Sequence, residues 1–118
     1  MGLKDFADKH RFDASFEGHR ISGDKFTHGI KSWPIAGAKA DFEHGADVGS
    51  RVTATRVMLT GVFALALKKN KNKVYVAVEF ADGSQVLIEA KAKDEKKARE
   101  FASKVNQAGE HFAAASAG

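Results

Sequence analysis

Four lysines within six residues, Lys68, Lys69, Lys71 and Lys73 in the run KKNKNK, form a compact cationic point in this chain. Lysine is a flexible point charge and suits a phosphate or an acidic partner. These four are the candidate binding residues. At an anionic membrane each would contribute about 1 kcal/mol. On nucleic acid they would give a strongly salt-dependent grip on the backbone. The plain alternative is that lysines keep a hairpin loop soluble and discourage edge pairing. Trp33 and Tyr75 are the aromatic residues expected to be partly exposed, and are therefore candidate partner contacts. The phenylalanines fall on faces expected to be buried, so no base-stacking platform can be read.

The other reactive side chains form no constellation. None of the five histidines, His10, His19, His28, His44 and His111, pairs with another at the i, i+4 spacing of a helical zinc motif. His19 and His28 would meet across a hairpin, with Glu17 near. Zinc, however, wants three or four convergent ligands. The histidines are read as surface residues and no metal is expected. Carboxylates are scattered over turns and helix faces without an acid/base pair. No serine sits in a G-x-S-x-G elbow, and no G-x-G-x-x-G or Walker run is present. The chain has no cysteine, which excludes disulfides, thiolate metal sites and a cysteine nucleophile. The expectation is a protein with no catalytic residues and no cofactor.

With 118 residues the chain is one domain, and its 43% hydrophobic content is ordinary for a soluble globular protein. A net charge of +4 and a pI of 9.4 are mildly basic, too weak alone to imply nucleic acid. The N-terminal residues lack the apolar stretch of a signal peptide. The longest near-apolar run, residues 57–67, is broken by Thr60 and Gly61. A membrane span needs roughly 20 residues, so the run is read as core. A cytoplasmic location is expected.

The elements that must position these residues are mostly strands. Residues 15–21 and 25–31 read as a hairpin about Ser22-Gly23-Asp24, with Phe26, His28 and Ile30 on one face. Trp33-Pro34 belongs at a strand start or edge, because proline cannot donate to a ladder. Ala36, Ala38, Ala40 and Phe42 alternate with polar or small residues, the pattern of a half-buried strand. Alanines this small imply close packing over that face, with the C-terminal helix as the natural candidate. Residues 51–58 are rich in β-branched side chains and read as a strand. Residues 62–67 read as a short buried strand. Residues 74–80 and 85–90 form a hairpin about Asp82-Gly83, with Phe80, Val78 and Val76 expected opposite Val86, Ile88 and Ala90. Asp94 then caps an amphipathic helix to about Ala113, which buries Ala98, Phe101, Ala102, Val105, Ala108 and Phe112. A short helix near Leu3, Phe6 and Ala7 is also expected. The reading gives a 1–12 extension, a domain over 13–113 and a frayed 114–118 tail.

The stretches WPIAGAKADFEHG, RVTATRVMLTGVFALALKK, KVYVAVEF and KAREFASKVNQAG resemble a family of small bacterial pleckstrin-homology-like (PH-like) domains, common in actinobacteria and their phages. The resemblance runs from Trp33 to Phe112. It implies an α+β fold of about seven antiparallel strands in a bent sheet or partly open barrel, closed by one C-terminal amphipathic helix. It implies no catalytic residues, because the family has none to carry over. Lipid-binding PH domains use a basic loop between their first two strands. Here that turn is Ser22-Gly23-Asp24, with only Arg20 and Lys25 nearby, so phosphoinositide recognition does not carry over.

The expected function is a non-enzymatic protein-interaction module, with a partner strand adding at a sheet edge beside the helix. A phage or actinobacterial origin would fit a regulatory or host-directed role. The alternatives are an anionic lipid or nucleic-acid binder through the lysine loop 68–73, and a homo-oligomeric structural protein.

Overall fold

The computed structural model describes residues 7–48, 57 and 59–117, with side chains to residue 115. It is an α+β fold of two antiparallel sheets and a long C-terminal helix. The first sheet is a meander of β1 (Ala14–Phe16), β2 (His19–Ser22), β3 (Lys25–His28) and β4 (Lys31–Pro34). Its three hairpins each turn on two residues, as the pairings Phe16↔His19, Ser22↔Lys25 and His28↔Lys31 require. At Glu17-Gly18 both turn residues lie at positive φ (48° and 76°), the mark of a type I′ turn. The two strands expected over 15–21 and 25–31 are therefore four. Gly18, Gly23 and Gly29 cut them at intervals of five and six residues. Ile30, expected to share the buried face of Phe26, instead stands fully exposed in the third turn. Pro34 does end an edge strand.

The second sheet is β5 (Lys39–His44), β6 (Lys73–Glu79) and β7 (Gln85–Lys91), with β6 in the centre. β6 and β7 pair Val78↔Val86, Val76↔Ile88 and Val74↔Ala90. Apolar faces apolar as expected, but the register is displaced by two residues from the expected one. The turn causes this. Ala81-Asp82-Gly83 closes as a three-residue loop, with Phe80 N–H donating to the Ser84 carbonyl (2.9 Å) and Gly83 N–H to the Phe80 carbonyl (2.9 Å). Gly83 takes φ 89°, and a slip of two preserves which face is buried.

The helical element α1 (Val62–Ala66) stands where a buried strand was expected. Only Val62 in VFALAL is β-branched, and alanine and leucine are the best helix formers. The strand expected over 51–58 lies outside the described residues apart from Val57. Seven strands are thus described, as expected in number, but they are not the expected seven. Among the described residues the two sheets do not close into a barrel.

After a 3-10 turn at Ala92–Asp94, the helix α2 (Glu95–Ala117) lies against β5, β6 and β1. It runs past the expected end near Ala113, since the alanine-rich tail has nothing to stop it. Ala98, Phe101, Ala102, Val105 and Ala108 are buried against Ile21 and Phe26 of the first sheet and Val74, Val76, Val78 and Ile88 of the second. Phe26 is the hub. Its ring meets Phe80 (5.2 Å), Trp33 (5.9 Å) and Phe101 (6.0 Å). Truncating such a ring to alanine costs about 3–5 kcal/mol. Phe12, from the N-terminal segment, joins this core, and residues 7–9 are helical.

The close approach expected over the alanine face is present. Asn106 clamps the backbone of Ala40: its Oδ1 accepts the Ala40 N–H (2.8 Å) and its Nδ2 donates to the Ala40 carbonyl (2.9 Å). One turn further on, Gly37 N–H donates to the Gly109 carbonyl (3.0 Å).

Candidate functional site

The outer face of the second sheet is partly covered too. Tyr75 and Ala77 alternate with the core valines of β6 and should face water, yet Tyr75 is only 3% exposed. The segment leading into and out of α1 lies over them as a strap. Val57 N–H donates to Asp41 Oδ2 (2.9 Å), which starts the strap at β5. At the far edge, Gln85 Oε1 accepts the Thr60 N–H (3.1 Å). The strap returns where Tyr75 Oη donates to the Lys68 carbonyl (2.8 Å). Tyr75, expected as a partly exposed partner contact, is thus a buried anchor of this strap. Trp33 is half-buried and stacks on Phe80 with centroids 4.9 Å apart.

What the strap presents outward is apolar. Val62 and Leu65 are 71% and 76% exposed, and with Ile30 they are the exposed large hydrophobic side chains among the described residues. The run expected to be core is therefore, at α1, surface. These three side chains come from two separate segments, and one cleft joins the segments. Lys31 and Trp33 of β4, Phe63 of α1, and Ser84 and Gln85 line an open space of about 510 Å³. Ile30 adjoins Lys31 and Val62 adjoins Phe63 in sequence.

Lysines follow directly. Lys68, Lys69 and Lys71 are exposed and make no ion pair among the described residues. Lys73 differs from its neighbours. Its Nζ lies 2.8 Å from Glu89 Oε1 across the β6–β7 pair, and that hydrogen bond raises its pKa above the ordinary 10.5. Three of the four expected lysines are thus exposed, at the end of the strap and on the loop that follows it, and the fourth has a partner in the sheet. The loop backbone is fixed: Asn70 N–H donates to the Gly45 carbonyl (3.0 Å) and Lys73 N–H to the Asn70 carbonyl (3.0 Å).

The sequence around the lysine run carries the chain's basic excess, with Arg51 and Arg56 added to the four lysines. Residues 48–78 contain six cations and no carboxylate. The remaining 13 Lys and Arg stand against 15 Asp and Glu, a balance of −2, so the whole basic excess of +4 resides in that stretch.

The histidines do other work. His19 and His28, cross-strand partners in β2 and β3, stack with centroids 4.0 Å apart and planes at 17°. His19, expected at the surface, is buried at 7% exposure. Its Nδ1–H donates to the Glu17 carbonyl (2.8 Å), so the backbone of Glu17 joins the pair. Stacked imidazoles hold their in-plane lone pairs side by side, an arrangement that does not converge on one ion. No group of three or more metal-ligating side chains gathers among the described residues. A second cleft, of about 580 Å³ beside this pair, is lined by Arg20 and Lys97 and also by Glu17 and Asp94, so its charges offset.

No helix among the described residues is long and apolar enough to cross a membrane. Compared with protein-family models, curated proteins and solved structures, the chain matches none.

Proposed function

We propose that this protein is a non-enzymatic, cytoplasmic binding module on a PH-like scaffold, docking on its partner through the strap face of Ile30, Val62, Leu65, Lys68, Lys69 and Lys71. The observation that carries the reading is that the exposed large hydrophobic side chains stand on the two segments whose neighbouring residues Lys31 and Phe63 line one cleft, while Lys68, Lys69 and Lys71 make no ion pair among the described residues. Single exposed apolar residues are ordinary, but a rimmed apolar patch marks an interaction site. The PH-like part rests on the quoted sequence stretches and on the helix packed across a sheet. Partner-strand addition beside the helix is disfavoured, because Asn106 already holds both backbone groups that Ala40 turns away from β6.

Affinity capture with the wild type and with the I30S/V62S/L65S variant tests this, scoring bound protein, lipid phosphate and nucleic acid. A component held by the wild type and lost in the variant is the expected result. Identical retention by both, or none by either, would overturn the reading.

A further inference from the structure

We propose that the surface this face takes is an anionic lipid bilayer, an inference that rests on the binding-module reading above. Ile30, Val62 and Leu65 project from a hairpin turn and a short helix, and all three are aliphatic. Protein interfaces draw their energy from Trp, Tyr and Arg and are poor in lysine. Single-stranded nucleic acid is held by stacking on aromatic rings, and here Tyr75 is buried while Trp33 already stacks on Phe80. An apolar tip flanked by lysines matches a bilayer with acidic headgroups: aliphatic groups enter the headgroup and acyl boundary while ammonium groups remain at its surface. The charge distribution matches it too. The stretch holding α1 and the lysine loop has no carboxylate of its own, and the sheet carboxylates beside the strap, Asp41 and Glu79, accept hydrogen bonds from Val57 N–H and Gln85 Nε2. The backbone bonds to Gln85, Tyr75 and Gly45 hold the strap in place before contact, so docking need not order it.

The test is co-sedimentation of the full chain with phosphatidylcholine vesicles, with and without phosphatidylglycerol, at stepped salt. Binding to the anionic vesicles that weakens with salt is expected. The K68Q/K69Q/K71Q variant should bind roughly 100-fold more weakly, about fivefold per lysine. The I30S/V62S/L65S variant should lose at least about tenfold. The K96Q/K97Q/K104Q variant removes the same charge from α2 and should keep most of the binding. All the substituted apolar positions are exposed, and circular dichroism confirms that each variant is folded.

Absence of binding to anionic vesicles overturns the inference, as does an equal loss in the α2 variant. If vesicles fail but capture yields a protein, a nucleic acid or a second copy of this chain that the I30S/V62S/L65S variant loses, the bilayer is wrong and the binding face stands. If both experiments fail, both readings fall.

Discussion

Gly109 shows how one residue can look like a defect in sequence and be a requirement in space. Propensity alone charges a helical glycine about 1 kcal/mol against alanine, so Gly109→Ala should stabilise α2. In the fold a Cβ at this position would lie 2.2 Å from the Ala38 carbonyl oxygen. That neighbour is backbone and cannot swing aside. Gly109→Ala is expected to lower stability by about 1–3 kcal/mol, measured by urea unfolding. Gln107→Ala, on the exposed face of the same helix, should leave it within about 0.5 kcal/mol. A stabilised Gly109→Ala protein would mean that the helix does not approach β5 this closely.

At the scale of elements, α2 acts as the missing neighbour of β5. An edge strand turns unpaired backbone groups outward, and an exposed edge recruits other chains. Asn106 meets both groups of Ala40 from the helix, with its side-chain amide standing in for a paired strand. Asn106→Leu should cost about 2–4 kcal/mol, since two hydrogen bonds are lost and two part-buried groups are left without partners. Gln107→Leu, one residue on and exposed, is the control. Chemical denaturation reads the difference, and equal stability of the two variants would sink the clamp. The alternating alanines Ala36, Ala38 and Ala40, the last of them in β5, announced this packing in the sequence. Asn106 was harder to see, because a polar residue beside a helix's apolar face reads equally as its solvent boundary.

At the scale of the whole molecule, two features couple distant parts. The strap ties β5, β6 and β7 across the outer face of the second sheet. Tyr75→Phe keeps the ring and removes only the bond to the Lys68 carbonyl. Amide exchange over residues 62–67 is expected to quicken by about fivefold, the equivalent of about 1 kcal/mol, while exchange in β2 is unchanged. The second feature is the buried His19. Burial first, and His28 beside it, hold its pKa below 6.5, although the bond to Glu17 pulls the other way. The unfolded chain, at the ordinary value, therefore takes up a proton more readily than the folded one. The contribution of neutral His19 is complete above about pH 6.5 and is lost as pH falls, until the folded histidine also charges. The melting temperature should decline on acidification below that point, with a shallower slope in His19→Gln. Parallel slopes would remove His19 as the cause.

By itself the sequence determined the periodic parts: an α+β chain, the buried faces of β6, β7 and α2, the close cover over Ala38 and Ala40, and the position of the lysine loop. Those follow from local spacing, because a period of two or of 3.6 sorts side chains onto faces whatever the partner is. The tertiary structure alone decided the rest. Whether the apolar residues of 62–67 lie inside or out was not legible in their pattern, because hydrophobicity is the same in both answers. The displaced β6–β7 register turned on how a three-residue loop closes, which parity of the pattern cannot distinguish. Tyr75 became an anchor and Lys73 a partner of Glu89 because neighbours distant in sequence reached them. The segments of Ile30 and Val62 came to line one cleft, through Lys31, Trp33 and Phe63, a proximity that no spacing along the chain records.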